Sequence, residues 1–249
     1  MILSAESFLI SVSEEFKMDK KTVGIIGGMG PLATADLFKK IVLNTRAAKD
    51  QEHLKVLIDN NTDIPDRTAA ILYGKESPIP ELQKSAKLLE SMGADLLVMP
   101  CNTAHYFYKD VAASVNIPLL NMLELTRDSL LERGVKKAGL LATSGTIESG
   151  IYQRTFENSG IELLTPSEYQ QDAVMDLIYK GVKAGKSDFD VKDVKTVMDD
   201  IISRGAEVLI LGCTELPVAV EMYNLTYPVC DPTAELARGA ITRANGECV

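Results

Sequence analysis

Residues 91–103 read SMGADLLVMPCNT, and residues 203–215 repeat the pattern without gaps as SRGAEVLILGCTE. In both copies a helix end is followed by a continuous apolar run and then by a cysteine. Such a run after a helix is typical of a strand in a parallel sheet that is covered on both faces. The repeat therefore predicts two similar α/β halves, with Cys101 and Cys213 at equivalent strand ends.

The flanking segments extend this repeat. VGIIGGMG at 23–30 resembles AGLLATSG at 138–145, and strand-like runs alternate with helical patterns throughout, as in KVLIDNN, PIPELQKSAKLLESMG, IELL and the two helices expected between Tyr169 and Arg204. A further helix is expected from about Ile147. The pattern predicts an α/β fold of two similar, doubly wound parallel-sheet domains related by a pseudo-two-fold axis, with the active site between them.

Three segments are predicted along the chain. TVGIIGG begins only after Met18, and the preceding residues lack the basic start and unbroken apolar core of a signal peptide, so 1–17 are taken as an N-terminal extension. The first domain is expected to comprise 18–120 plus 228–249, because the last helix, PTAELARGAITRA, is placed to return to the first half. Residues 121–227 are expected to form the second domain.

Composition excludes several classes of function. The chain has 26 basic and 35 acidic residues, for a net charge of −9, which argues against binding to nucleic acid or to an anionic membrane. Its four cysteines form no CxxC pair, so neither a metal site nor a disulfide framework is expected, and reduced thiols fit a cytoplasmic protein. No apolar segment approaches the roughly 20 residues of a membrane span.

The two repeated cysteines carry the predicted chemistry. Ligands of open parallel sheets bind beyond the carboxyl ends of the strands, where helix amino termini should lower the thiol pKa. One thiolate could remove an α-proton while the opposing thiol protonates the other face, which inverts a stereocentre without a cofactor. Converging donors must stabilise the carbanion, and Asn102, Thr103, Thr143 and Thr214 are the candidates.

Other candidate features are less informative. Two buried structural thiols are the alternative for the cysteine pair. Residues 28–33, GMGPLA, fit a dinucleotide fingerprint, but Pro31 and the lack of a suitably spaced acidic residue argue against nucleotide binding. His105 is expected to be a helix histidine near the site, His53 a surface residue, and Cys230 and Cys248 ordinary core and tail residues.

Four motifs resemble the aspartate/glutamate racemase family, and most closely its aspartate racemases: GIIGGMGP, MPCNTAHYFY, LATSGT with Tyr152 following, and LGCTELP. The resemblance covers nearly everything from Thr22 onward. It implies two α/β domains with the site between them and no pyridoxal phosphate or other cofactor. It also implies that Cys101 and Cys213 are the two acid/base residues, whereas some family members have threonine at one of these positions.

The resemblance extends to substrate selection. IPDRTAAIL and IYKGVKAGK resemble the stretches whose arginine and lysine bind the substrate's side-chain carboxylate, which points to Arg67 and Lys183. Glutamate racemases usually have histidine where this chain has Glu215, a departure that favours aspartate. A small-molecule acidic amino acid is thus the expected partner, together with a second copy of the chain in a homodimer. The predicted substrate site comprises Met29, Asn61, Arg67, Asn102, Thr103, Thr143, Lys183 and Thr214.

Two alternative functions stay open from the sequence. A related enzyme, such as a hydantoin racemase, maleate isomerase or decarboxylase, would use the same cysteine positions on a different acid, although Arg67 and Lys183 argue against these. A non-catalytic protein that binds acidic amino acids would keep the cleft without the reaction.

Overall fold

The computed structural model of the chain describes residues 19–249. The extension predicted for 1–17 lies outside the described residues. The chain folds into two parallel sheets with helices on their faces, as the repeat predicts.

The first sheet has the order β2-β1-β3, and all its pairings are parallel. Its strands are β1 (Val23–Gly27), β2 (Val56–Asn60) and β3 (Leu96–Val98). The helices of this part are α1 (Pro31–Asn44), α2 (Arg67–Tyr73), α3 (Ile79–Ser91) and α4 (Tyr108–Ala112), with short 3-10 turns at Asp50–Glu52 and Thr103–Phe107.

The second sheet has the order β5-β4-β6-β7 and is also parallel. Its strands are β4 (Lys137–Ala142), β5 (Glu162–Leu164), β6 (Val208–Gly212) and β7 (Val229–Cys230). The remaining helices are α5 (Met122–Glu132), α6 (Ser144–Glu148), α7 (Ile151–Phe156), α8 (Glu168–Asp176), α9 (Lys192–Ser203), α10 (Glu215–Met222) and α11 (Pro232–Arg243); a π-helical turn, Leu177–Val182, continues α8.

The two sheets correspond strand by strand. The central strands β1 and β4 are equivalent in the sequence repeat, as are β3 and β6. Beyond β3 a parallel bridge joins Leu97 to Leu119, and the Leu97 N–H donates to Pro118 O at 2.8 Å. Beyond β6 the Leu209 N–H donates to Pro228 O, also at 2.8 Å. The repeat therefore includes a fourth strand position in each half, although only β7 is a full strand.

After this fourth position each half continues into a long helix. Asn121 caps the amino terminus of α5, and Asp231 caps that of α11 in the same way. Helix α11 packs on α1 of the first half and also on α5, and α5 in turn contacts α7 of the second half. The last helix thus returns to the first half as expected.

One predicted boundary needs correction. Residues 228–230 were assigned to the first domain, but β7 pairs with β6 of the second sheet. The reason is that the backbone of Val229–Cys230 completes the edge of that sheet, and only the helix after Asp231 crosses. The other boundary, after residue 120, stays a prediction.

Matching glycines in the central strands allow close helix packing. A Cβ on Gly24 would lie 2.7 Å from Leu97 Cδ2, and one on Gly139 would lie 2.3 Å from Ile201 Cγ2 and 2.7 Å from Leu209 Cδ2. Contacts this short exclude any larger side chain without movement of the neighbours. A helix therefore packs closely on the central strand in both halves: α3 on β1 at Gly24 and α9 on β4 at Gly139.

Within residues 19–249, no helix has the length and apolarity to cross a membrane. The same residues contain no cluster of three or more His, Cys, Asp and Glu side chains suited to a metal ion.

Candidate active site

A small polar cleft lies where the two halves meet, beyond the carboxyl ends of the central strands. Its empty volume is about 330 Å³, at the small end of the range for small-molecule sites. Both halves contribute to its lining: Met29, Asp66, Arg67, Thr68, Cys101, Asn102, Thr103, Thr143, Tyr179, Lys183, Cys213, Thr214 and Glu215. The cleft brings together every residue of the predicted site except Asn61.

The two cysteines reach this cleft from opposite halves. Cys101 follows β3 after two intervening residues, and Cys213 follows β6 directly. Each thiol is free and only 7% exposed. Two thiols thus share one enclosed cleft, which is the arrangement that a proton donor and a proton acceptor need.

The prediction that helix dipoles lower both thiol pKa values is wrong for Cys213. Burial raises the pKa of Cys213 well above its usual value, and the nearby Glu215 carboxylate raises it further. The Sγ of Cys213 donates a hydrogen bond to Glu215 Oε2 at 2.9 Å, which favours the protonated thiol. Burial of the thiol, together with the acidic side chain in the first turn of α10, outweighs the expected dipole effect.

Three hydroxyl groups join the two halves at the floor of the cleft. Thr103 Oγ1 lies 3.0 Å from Thr143 Oγ1 and 2.9 Å from Thr146 Oγ1, and the latter two are 3.1 Å apart. Thr143 also caps α6, which begins at Ser144 rather than near Ile147, because the Thr143 hydroxyl accepts a bond from the Thr146 N–H. The cluster holds Thr103 of one half against Thr143 and Thr146 of the other.

Asn102 is held in a defined orientation by a buried tyrosine. The hydroxyl of Tyr152 donates to Asn102 Oδ1 at 2.6 Å, and both side chains are almost fully buried. The Nδ2 of Asn102 has no hydrogen-bond partner among the described residues. A buried amide donor at the edge of the cleft is therefore available to a substrate carboxylate.

Arg67 begins α2 and its head group is fixed by the preceding loop. Its Nη1 donates to Pro65 O at 2.9 Å and to Ile64 O at 3.2 Å, while its buried Nε has no partner in the part of the chain described. Helix α2 itself packs on α6 of the second half, where Gly145 gives room for Thr68. Arg67 is thus a rigidly placed cation with a free donor.

Lys183 is already engaged by an acidic residue. Its Nζ lies 2.6 Å from Glu215 Oε1 and stands over the ring of Tyr179, 5.6 Å from the ring centre. Burial alone would lower the pKa of Lys183, but the Glu215 carboxylate outweighs it and the net pKa is raised. Lys183 is therefore an ammonium ion at neutral pH, with part of its charge balanced by Glu215.

The remaining predicted residues lie in different surroundings. Met29 is buried in the cleft wall, and Thr214 lies beside Cys213 with its hydroxyl 3.4 Å from Glu215 Oε2. Asn61 is not part of the cleft lining, and its Nδ2 donates to Glu81 and Ser85. Its backbone passes so close to Gly28, which has φ +92°, that a Cβ there would be 2.0 Å from Asn61 O.

Sequence reasoning missed four residues of the lining or floor, and Glu215 was considered only as a family difference. Tyr179 precedes Lys183 by four positions, so helical spacing could have placed both on one face. Asp66 and Thr68 flank Arg67, and Asp66 caps α2 through Ala69 N–H. Thr146 had no signal beyond its place in LATSGT.

His105 is a neutral structural residue, as expected. Its Nε2 accepts from the Met122 N–H at 3.1 Å, so the proton must be on Nδ1, which donates to Cys101 O at 2.9 Å. Burial lowers the pKa of His105 to about 4. The ring links the loop that carries Cys101 to the start of α5.

Comparison with known proteins agrees with this architecture. Residues 26–240 match the family model described as Asp/Glu/Hydantoin racemase. The chain is similar to the aspartate racemase of Picrophilus torridus, with 36% identity and a TM-score of 0.79 over 92% of this chain and 96% of that one. An aspartate racemase homologue from Pyrococcus horikoshii OT3 has 28% identity and a TM-score of 0.73, covering 90% of this chain and 99% of that one.

A curated relative extends the comparison. The broad specificity amino-acid racemase RacX of Bacillus subtilis is 28% identical over 232 residues, which is 88% of this chain and 96% of the relative. These matches confirm the family resemblance and the two-part α/β fold. The chain belongs to the Asp/Glu/Hydantoin racemase family and is an amino-acid racemase.

Proposed function

We propose that this racemase acts on aspartate through two bases, Cys101 and Cys213. The observation that carries the proposal is the pair of buried thiols, contributed by equivalent strand ends of the two halves to one cleft. A substrate α-carbon between them would present one face to each sulfur. In one direction the Cys101 thiolate takes the α-proton and the Cys213 thiol donates its own proton to the opposite face.

The proton count of this reaction balances without any other group. The substrate loses one proton to Cys101 and gains one from Cys213, so the product has the inverted configuration. The enzyme is left with a Cys101 thiol and a Cys213 thiolate, and the reverse reaction or proton exchange with water restores the starting form. The chemistry we propose therefore uses only side chains of this chain.

Stabilisation of the carbanion is assigned to the polar groups around the thiols. Removal of an α-proton places negative charge on the substrate carboxylate, and fixed donors stabilise that charge better than water does. The free Nδ2 of Asn102 supplies such a donor. The hydroxyls of Thr103, Thr143 and Thr214 can donate to a substrate when they exchange their present bonds to one another, to Thr146 and to Glu215. The Tyr152 bond to Asn102 keeps the amide oriented, so little reorganisation is needed.

The preference for aspartate is assigned mainly to Arg67. An arginine binds a carboxylate with paired donors, and its backbone bonds to Ile64 and Pro65 hold it in place. Lys183 was predicted to share this role. Because it is paired with Glu215, it can contribute only part of its charge to a substrate.

That pairing supports a second candidate, racemisation of a broader set of amino acids. A cleft whose lysine is balanced by glutamate has one net cation fewer for a side-chain carboxylate, so neutral side chains are penalised less. The Bacillus subtilis relative is itself named a broad specificity amino-acid racemase. Rates with aspartate, glutamate and alanine distinguish the two candidates.

The decisive experiment follows racemisation of L-aspartate in D2O by chiral chromatography and mass spectrometry. Two bases predict that the first D-aspartate formed carries deuterium at the α-carbon, while the remaining L-aspartate stays protiated, because the donated proton comes from a solvent-exchanged thiol. Product that retains the original proton would indicate a single base. Absence of turnover with aspartate but not with alanine would support the broad candidate instead.

The homodimer and the cytoplasmic location remain proposals. Four free thiols among the described residues and the acidic net charge support the location. Light scattering of the purified protein tests the dimer, and a mass equal to one chain would contradict it.

A further inference from the structure

The carboxylate of Glu215 joins two groups of the cleft that the proposed reaction uses. Its Oε2 accepts a hydrogen bond from Cys213 Sγ at 2.9 Å, and its Oε1 lies 2.6 Å from Lys183 Nζ. The Glu215 side chain is 10% exposed, so water screens its contact with the buried Cys213 only weakly, whereas the Lys183 side chain is 31% exposed and its contact is screened more. Cys213, Glu215 and Lys183 therefore form a connected chain of thiol, carboxylate and ammonium.

Within residues 19–249, no carboxylate is hydrogen-bonded to the thiol of Cys101 as Glu215 is to that of Cys213. In the sequence repeat Thr103 occupies the position of Glu215, two residues after the cysteine. The Thr103 hydroxyl is bonded to Thr143 and Thr146, which are neutral. The two halves match in backbone, but the charge beside their thiols differs.

We propose that Glu215 is a positioning residue that keeps the resting proton on Cys213, so that the unliganded enzyme holds Cys213 as the acid and Cys101 as the base. This inference rests on the proposed two-base function and adds an order to it. A carboxylate accepts a hydrogen bond from a thiol but repels a thiolate, so it favours the protonated form of its neighbour. The neutral Thr103 at the equivalent position exerts no such repulsion on Cys101.

The charged and titratable groups that face Cys213 come from several elements. Within the cleft lining, Glu215 lies on α10, Tyr179 on the π-helical turn and Lys183 just after it, Cys101 after β3, and Arg67 on α2 with Asp66 as the cap of that helix. Burial and Glu215 raise the pKa of Cys213, while the Glu215 backbone N–H and Lys183 oppose the rise. Lys183 thus limits the effect of Glu215 and stops Cys213 from becoming too weak an acid to donate.

The same neighbours, Glu215 and Lys183, also determine the fate of Cys213 after it has donated its proton. The new Cys213 thiolate lies beside the Glu215 carboxylate, and the Lys183 ammonium is the nearest compensating charge. The thiolate is therefore a strong base that is readily reprotonated, either by the product in the reverse reaction or by water. Glu215 thereby returns the enzyme to the form in which Cys213 carries the proton.

The test measures the titration of Cys213 without relying on racemisation. In a Cys101→Ala background, the rate of iodoacetamide alkylation at Cys213 is followed against pH, with the labelled peptide identified by mass spectrometry. Adding Glu215→Gln should move the alkylation profile to lower pH by about one unit or more, because a like charge has been removed. Adding Lys183→Met should move it to higher pH, because the compensating cation has been lost.

Opposite shifts from two neighbouring substitutions would not follow from a loss of packing. Glu221→Gln, an exposed residue on the same helix, is the matched control and should leave the profile unchanged. Glu215→Asp keeps the charge and should leave the alkylation profile close to that of the Cys101→Ala parent, and Lys183→Met tests the proposal by itself if Glu215→Gln proves unstable. The proposal would be overturned if the alkylation profile of folded Glu215→Gln stayed in place or moved to higher pH. It would also be overturned if Glu215→Gln and Lys183→Met moved the profile equally in the same direction.

A second readout links this titration to the reaction. In enzyme with both cysteines, Glu215→Gln should move the basic limb of the kcat/KM profile for aspartate to lower pH by the same amount as the alkylation profile. An unmoved basic limb together with a shifted alkylation profile would overturn the acid role of Cys213 in the proposed function. A shifted basic limb together with an unmoved alkylation profile would overturn the role of Glu215 alone.

Discussion

At the scale of single residues, the site is a set of polar side chains whose bonds leave a few atoms free. Tyr152 holds Asn102 so that its Nδ2 is free, and backbone carbonyls hold Arg67 so that its Nε is free. Buried donors without partners cost stability, and such cost is common at sites that bind ligands. The free atoms therefore indicate where substrate oxygens are expected.

The proposed two-base reaction predicts that replacement of either thiol abolishes turnover while the fold is kept. Cys101→Ala and Cys213→Ala each remove one of the two groups proposed to transfer protons, and such groups contribute about 10²- to 10⁴-fold to rate. Racemisation of aspartate by polarimetry or chiral chromatography is the measurement. Cys248→Ala, which alters a partly buried thiol outside the cleft, is the control and should keep its activity. Near-normal racemisation by a folded Cys101→Ala or Cys213→Ala variant would contradict the two-base assignment.

Loss of Arg67 should reduce aspartate use more than alanine use. A charge-assisted hydrogen bond contributes about 1.5–3 kcal/mol, so Arg67→Ala should lower kcat/KM for aspartate about ten- to a hundredfold. Arg67→Lys should also be impaired, since an ammonium cannot supply paired donors in one plane. The comparison needs kcat/KM for aspartate and alanine in each variant. Equal losses on both substrates would show that Arg67 supports the fold or the chemistry rather than side-chain recognition.

At the scale of helices and strands, the sequence repeat was the most informative signal. Gly24 and Gly139 occupy matching positions because α3 and α9 pack on their sheets in the same way. The helix starts were less well predicted. Helix α6 begins three residues before the expected position because Thr143, at a strand end, also serves as its cap.

The contact between α2 and α6 positions Arg67, and a single methyl group should disturb it. A Cβ on Gly145 would lie 2.8 Å from Thr68 Oγ1 and 3.0 Å from Thr68 Cα, so Gly145→Ala must displace α2. Because Arg67 precedes Thr68, we expect a rise in KM for aspartate of about tenfold, the loss of one charge-assisted bond. The melting temperature should also fall, because overpacking of a buried contact costs about 1–3 kcal/mol.

The measurement that separates this effect from general damage is the alkylation of the two thiols. Cys101 and Cys213 should become more accessible to iodoacetamide in Gly145→Ala, because the cleft is closed partly by α2. A variant with an unchanged KM would indicate that α2 can shift without moving Arg67.

At the scale of the whole molecule, the crossing helices were predictable only in part. The helix after YPVC was expected to return to the first half, and α11 does pack on α1. Which sheet the short β7 would join could not be read from two strand residues, because local pattern does not encode long-range pairing. Likewise, the Lys183–Glu215 pair joins residues 32 positions apart, and neither residue's neighbours in sequence reveal it.

The junction between the halves should also give the molecule a specific dependence of stability on pH. His105 is buried as the neutral ring between Cys101 O and the Met122 N–H, and burial lowers its pKa to about 4, below the usual 6.5. The unfolded chain therefore binds a proton at this residue at a higher pH than the folded protein does. The stability that neutral His105 contributes is present above pH 6.5 and is lost as pH falls toward 4.

We expect the free energy of unfolding of the wild type to fall relative to that of His105→Gln as pH decreases. The linkage predicts that the free energy of unfolding of the wild type, relative to that of His105→Gln, falls by roughly 2 kcal/mol between pH 6.5 and 4.5, as measured by urea denaturation at each pH. His53→Gln changes the other histidine, which lies outside this junction, and should keep the wild-type dependence. Because both variants share the wild-type carboxylates, acid titration of those groups cancels in the comparison. A constant difference between wild type and His105→Gln would mean that the ring accepts a proton in place, and the junction would then have to tolerate a buried imidazolium ion.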